Sequence, residues 1–224
     1  MKLSSGQYYP RIGPSGWPFE ETPYYAQILS AQRQLELLCD DLNEIFTFVE
    51  PTENNSAVYS HRLRNLLIVA ATEFEAQCVG VLTANNVQPL GSFFNTRDYV
   101  RLLPIFQLEK YRFGLSMFSK YSAFKPFEDW SVQNPTGSLP WYHAYNQTKH
   151  NRESNFDVAT LDNAIQAVAG CFCMMLSQTS SRNVLAQPPG KVFRVYNVPN
   201  DHIAGRYIER YGDTLTPVDY PFES

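Results

Sequence analysis

The chain is poor in the features that would announce a function at once. It has only four cysteines and four histidines in 224 residues. Cys39, Cys78, Cys171 and Cys173 all lie in apolar stretches, and none has a histidine at metal-ligand spacing, so a zinc site is not expected and a reducing compartment is. Long apolar runs are missing as well. The longest, Ala167–Leu176, is about half of what a membrane span requires, and the residues after Met1 form no apolar core of a secretory signal. A cytoplasmic location and no membrane partner are the expectation. Charge of either sign is scarce, at 18% of residues and a formal net charge of −4, which argues against a broad basic footprint for long nucleic acid and leaves room for a local one.

Catalytic signatures are also lacking. No serine or cysteine stands in a recognisable nucleophile context, and no paired carboxylates have the spacing of an acid and a base. Gly13–Pro–Ser–Gly16 has neither the following lysine nor the preceding strand of a phosphate loop. His143 and His150 are two helical turns apart, too far along the axis to share one ion. No cofactor is implied.

What is present is a well-furnished core. Hydrophobic residues make up 44% of the chain, with 14 Tyr and 15 Phe, enough to fold rather than stay disordered. Residues 1–22 mix proline and glycine with aromatics and read as an irregular arm. Thr22 as cap and Pro23 as first helical residue predict a long helix, whose seam is Ile28, Ala31, Leu35, Leu38, Leu42, Ile45 and Val49, and Pro51 stops it. A second helix, from about Ser60 to Ala84, carries Leu63, Leu67, Ala70, Phe74, Cys78 and Val81. The short link makes these two antiparallel neighbours, and Arg64 and Glu75 stand at the border of the second seam.

Residues 96–109 predict two short helical pieces or a kink at Pro104, and 111–127 a short strand or extended loop. Ser138 and Pro140 open another helix, and Leu161–Leu176 is apolar nearly all round, as a helix in the middle of a bundle is. Residues 179–224, with a strand-like Val192–Tyr196, form an aromatic tail expected to wrap onto the body. The predicted fold is mainly α: an antiparallel bundle of four to five helices over residues 23–178, with irregular aromatic-rich arms at both ends.

One stretch gathers chemically able side chains, Trp141–Tyr–His–Ala–Tyr–Asn–Gln–Thr–Lys–His–Asn–Arg152. On a helix Tyr142, Asn146, Lys149, His150 and Glu153 share a stripe. A histidine there can remove a proton from a ribose 2′-hydroxyl, and a neighbouring cation can stabilise charge on the phosphate. The same stripe reads equally as a solvated helix face.

Two long antiparallel helices, an irregular middle, a helix bearing Tyr145–Asn146–Gln–Thr–Lys149–His150–Asn–Arg152 and a final apolar helix resemble the HEPN superfamily over residues 23–178. That resemblance implies an RNA- or nucleotide-binding protein, and in catalytic members a metal-independent ribonuclease of toxin or defence type acting as a homodimer. It assigns His150 and Asn146 to catalysis, with Lys149, Arg152, Tyr145 and Tyr142 on the substrate. The family's arginine is replaced here by Tyr145, a neutral group, so Lys149 or Arg152 has to supply the cation; Arg152 reaches the site only if the helix ends near Asn151. Trp141, Tyr142 and Tyr145 are residue types enriched at interfaces and suggest where a dimer would form. The competing reading is a non-catalytic helical module for a protein partner.

Overall fold

The heptad-like seam of the first long helix decides the architecture. The computed structural model describes residues 3–4, 6–12, 23–179, 189–199 and 216–222. Helix α1 spans Tyr25–Phe46, and six of the seven predicted seam residues, Ile28 through Ile45, are buried, with Val49 packed at the edge. It starts later than predicted. Pro23 and Tyr24 form a turn, Tyr24 gives no side-chain cap, and Thr22 lies outside the described residues. The helix also stops at Phe46, where the Thr47 hydroxyl and backbone N–H return to Glu44, ahead of Pro51.

Helix α2, His61–Ala84, is capped as its sequence suggests: the Ser60 hydroxyl accepts from Leu63 N at 3.2 Å. All six predicted seam residues are fully buried. α1 and α2 are antiparallel, because contacts join opposite ends. Tyr24 Oη donates to the Ala84 carbonyl at 3.4 Å at one end, and Arg62 bridges Asp41, at 2.9 Å, and Glu44 at the other.

Two short helices follow, α3 Thr96–Tyr99 and α4 Leu102–Phe106. Asp98 is buried and its carboxylate accepts from Leu90 N at 2.8 Å and Asn95 N at 3.0 Å, which closes the turn before α3. The expected interruption falls at Val100–Arg101 rather than at Pro104. Pro104 sits in the first turn of α4, where its missing N–H has no intrahelical partner to lose.

The remaining long helices are α5, Pro140–His150, and α6, Leu161–Gln178. α6 runs parallel to α2 with a constant offset of 101 residues: Cys171 Sγ meets the Ala70 carbonyl at 3.0 Å, and Gln178 Nε2 meets Gln77 Oε1 at 3.2 Å. α5 runs against α2, since Tyr142 bonds Glu75 and the Thr148 carbonyl bonds Arg64. Thus α2 and α6 form the inner pair, and α1 and α5 each touch both. The chain is mainly α.

Two small sheets tie the ends down. β1, Gln7–Tyr8, pairs in parallel with β4, Thr216–Pro217. β2, Arg112–Leu115, pairs antiparallel with β3, Phe193–Asn197, which follows a single helical turn α7, Pro189–Val192. The described parts of both arms therefore carry short strands, and β3 of the tail pairs with β2. Gly13–Ser15–Gly16 lies outside the described residues.

All four cysteines are buried free thiols. α2 has the length and composition to cross a membrane, yet it is also the helix against which α1, α5 and α6 pack. Leu38 and Phe74 are at most 1% exposed, so truncation of either to alanine removes contacts on several sides. We expect Leu38→Ala and Phe74→Ala each to lower unfolding free energy by about 2–5 kcal/mol in urea denaturation.

Candidate functional site

The geometry of α5 follows from its aromatic half. Pro140 occupies the first helical position, where its fixed φ suits the turn. Trp141 is fully buried, and its indole N–H donates to the Pro126 carbonyl at 3.0 Å. Its ring lies over Gly170 of α6, where a Cβ would stand 3.1 Å from it. A glycine at 170 is thus what lets the two helices approach. Tyr142 faces α2: its ring lies 6.2 Å from that of Phe74 and its hydroxyl donates to Glu75. Burial, and then the bond to the carboxylate, push the Tyr142 phenol far above its usual range.

Tyr145 is likewise inside, 1% exposed, with its ring 5.3 Å from that of Tyr142. Its hydroxyl accepts a hydrogen bond from Lys149 Nζ at 2.7 Å, one turn later. That bond raises the Lys149 pKa against the opposing effect of partial desolvation, with the Tyr145 and Glu75 charges acting in the same sense as the bond. Thr148 is buried, bonds back to the Tyr145 carbonyl, and offers its own carbonyl to Arg64 Nη2 at 3.1 Å. Arg64 Nε is buried with no partner.

The stripe expected at the surface is therefore divided. Tyr142 and Tyr145 were expected to touch substrate; they are in the core, because their rings fill the space between α5 and α2, and they act on the surface through Glu75 and Lys149. Lys149, His150 and Arg152 are exposed, and Asn146 is half-buried. Neither the His150 nor the Asn146 side chain has a hydrogen-bond partner among the described residues, so Asn146 does not orient the imidazole here. The helix ends at His150, with Asn151 as its C-cap. The condition for Arg152 to turn back toward His150 is met. The aromatic residues thought to mark a dimer interface are consumed inside the protomer, so they give a dimer no support.

Another concavity lies elsewhere. A cavity of about 1000 Å³ opens along the outer face of α2, lined among the described residues by Arg11, Tyr24, Gln27, Thr72, Glu75 and Tyr99, with Asp219 at its rim. Glu75 is common to it and to the Tyr142 bond. Arg11 adopts φ 55° and lays its guanidinium on Gly80, with Nε donating to Gln178 Oε1 at 3.0 Å. Burial lowers its pKa, opposed by Glu73. The sequence had shown Glu75 as a rim charge but did not point to Arg11; the one available signal was Gly80 inside a helix, a place where another chain segment can come close.

Glu73 lines a smaller adjoining cavity with Arg11 and Gln77. Its pKa is raised, chiefly by burial, although the Gln77 amide and Arg11 oppose this. A folded-state value above the unfolded one means that the group favours the fold below the unfolded pKa and that this contribution is lost as pH rises through the folded value. Glu73→Gln keeps an acceptor for Gln77 and removes the buried charge. Its melting temperature should exceed that of the wild type at pH 7, and the difference should vanish in melts at a pH below about 4.

Set against protein-family models, curated proteins and solved structures, the chain finds no match in any of the three comparisons.

Proposed function

We propose that the chain is a HEPN-like RNA- or nucleotide-binding protein whose site is the C-terminal edge of α5. The observation that carries this reading is the Tyr145–Lys149 bond: where the family has an arginine, a buried phenol holds a lysine ammonium at 2.7 Å on the same turn as the exposed His150. Lys149 and Arg152 then bind phosphate. His150 in its neutral form takes the ribose 2′-proton, and the adjacent cations stabilise the charge that develops on the phosphorane oxygens. Such chemistry needs no cofactor and suits a cytoplasmic toxin or defence ribonuclease. A homodimer would bring two such edges together, and sedimentation at micromolar concentration tests that part separately.

A second reading, a helical module that binds a protein partner without catalysis, is favoured by Asn146, which makes no bond to His150. One experiment separates the two. Purified protein incubated with mixed cellular RNA in chelator should cleave it, and His150→Ala should slow cleavage by roughly 10²–10⁴. Lys149→Gln should reduce the salt dependence of RNA binding by about one counterion. A wild type that neither cuts nor binds RNA or nucleotides at low salt selects the partner-binding module.

A further inference from the structure

Where α2 begins and α5 ends, three rings cluster that the core does not use. Phe156, in the turn between α5 and α6, lies 4.5 Å from the His61 imidazole at an interplanar angle of 38°, and 5.6 Å from Tyr59, edge-on at 89°. The backbone beneath them is pinned. Tyr59 bridges Thr160, Leu161 N donates to the Val58 carbonyl at 2.8 Å, and Asp162 N donates to the Ser56 carbonyl at 3.0 Å. Arg64, one turn after His61 on the same face of α2, reaches the Thr148 carbonyl at 3.1 Å. The stretch of α2 that carries His61 is thereby fixed to the last turn of α5, which carries His150.

These rings remain open to solvent. Tyr59 is 50% exposed, His61 is exposed and Phe156 is half-buried. A cluster serving only to seal a helix end would be covered, as Phe74 and Trp141 are. Arg64 joins the start of α2 to the last turn of α5, which carries the exposed Lys149 and His150, and the chain from there to Phe156 carries Arg152 and the acid Glu153, with Asp157 next. Exposed aromatic faces held rigidly beside several cations are the two components with which proteins hold unpaired nucleotides: rings stack on any base, and cations follow the backbone. A duplex offers the second contact and withholds the first.

We propose that Tyr59, His61 and Phe156 form a stacking platform for an unpaired base, so that the nucleic acid taken at the α5 edge is single-stranded RNA. This rests on the RNA-binding reading above and narrows it. A base stacked there tethers the strand at the edge that carries Lys149, His150 and Arg152, with recognition resting on base faces and phosphates.

The test measures anisotropy of a labelled single-stranded oligoribonucleotide, and of the same strand annealed to its complement, with the full chain. Tyr59→Leu and Phe156→Leu keep apolar cover and remove the ring, and His61→Gln alters an exposed position, so at least one variant retains the wild-type melting temperature. Among variants that do, affinity for the single strand should fall at least about fivefold, the lower end for loss of one stacked base. Duplex binding, carried by phosphate contacts alone, should be unchanged. Folded variants that bind the single strand as the wild type does overturn the platform and leave the RNA-binding reading standing. A wild type that binds neither RNA, while Phe156→Leu abolishes capture of a protein, overturns both.

Discussion

Phe74 is the contact on which the placement of everything else depends. From the middle of α2 its ring meets Tyr99 of α3, Phe127 and Trp130 of the long connection, and Trp141 and Tyr142 of α5. Three segments up to 68 positions away in sequence thus converge on one side chain, each contributing a large ring in edge-to-face contact, which restricts how it can approach. The orientation of α5 about its own axis follows from that convergence. With Trp141 and Tyr142 directed at Phe74, Thr148 two turns on falls on the same buried face, and Lys149 and His150 stand at the exposed end of the helix, where Lys149 reaches back to the Tyr145 hydroxyl. The chemistry of the edge is thus a by-product of an aromatic core, with rigidity that a surface helix without such anchors would lack.

Below that ring, polar side chains are arranged as a relay between inside and outside. Glu75, one residue after Phe74, faces both the large cavity and the Tyr142 hydroxyl, and Tyr145 lies against Tyr142 and holds Lys149. Each buried phenol has its oxygen satisfied, which is the condition for leaving polar atoms in such a position. The cavity on the outer face of α2 and the α5 edge are therefore not independent surfaces. They share a carboxylate, and any ligand that alters the charge state or position of Glu75 is felt by the tyrosines behind Lys149.

The helical frame was legible in the sequence because the signal is local: three-four spacing in α1 and α2 identifies the buried stripe, and the residues of both seams are where that spacing puts them. The candidate site was legible only in part. Periodicity tells which residues share a face of α5 but not which face is turned inward, and Tyr142 and Tyr145 were read outward because their hydroxyls suggested chemistry. What turns them inward is packing against α2, where Tyr142 meets Phe74 and Glu75, the latter 67 residues away, a pairing that no window along the chain can reveal. Arg11 was invisible for the same reason: it belongs to an arm without periodicity and acquires its role by settling on Gly80. The pairing of β2 with β3 joins residues some eighty positions apart, so the strand-like composition of each was readable and the partner was not.

The parallel pairing of Gln7–Tyr8 with Thr216–Pro217 has a consequence for the order in which the molecule is assembled. Bonds from Thr216 N to the Gly6 carbonyl and from Val218 N to the Tyr8 carbonyl, both 2.8 Å, cannot form until the chain through Val218 has left the ribosome. The four long helices, whose contacts with one another lie within residues 25–178, can be packed well before that. The rim of the large cavity, to which Pro217 and Asp219 contribute alongside Pro10 and Arg11, is then completed after the bundle. During synthesis the molecule exists for a time with its α5 edge finished and that rim still open.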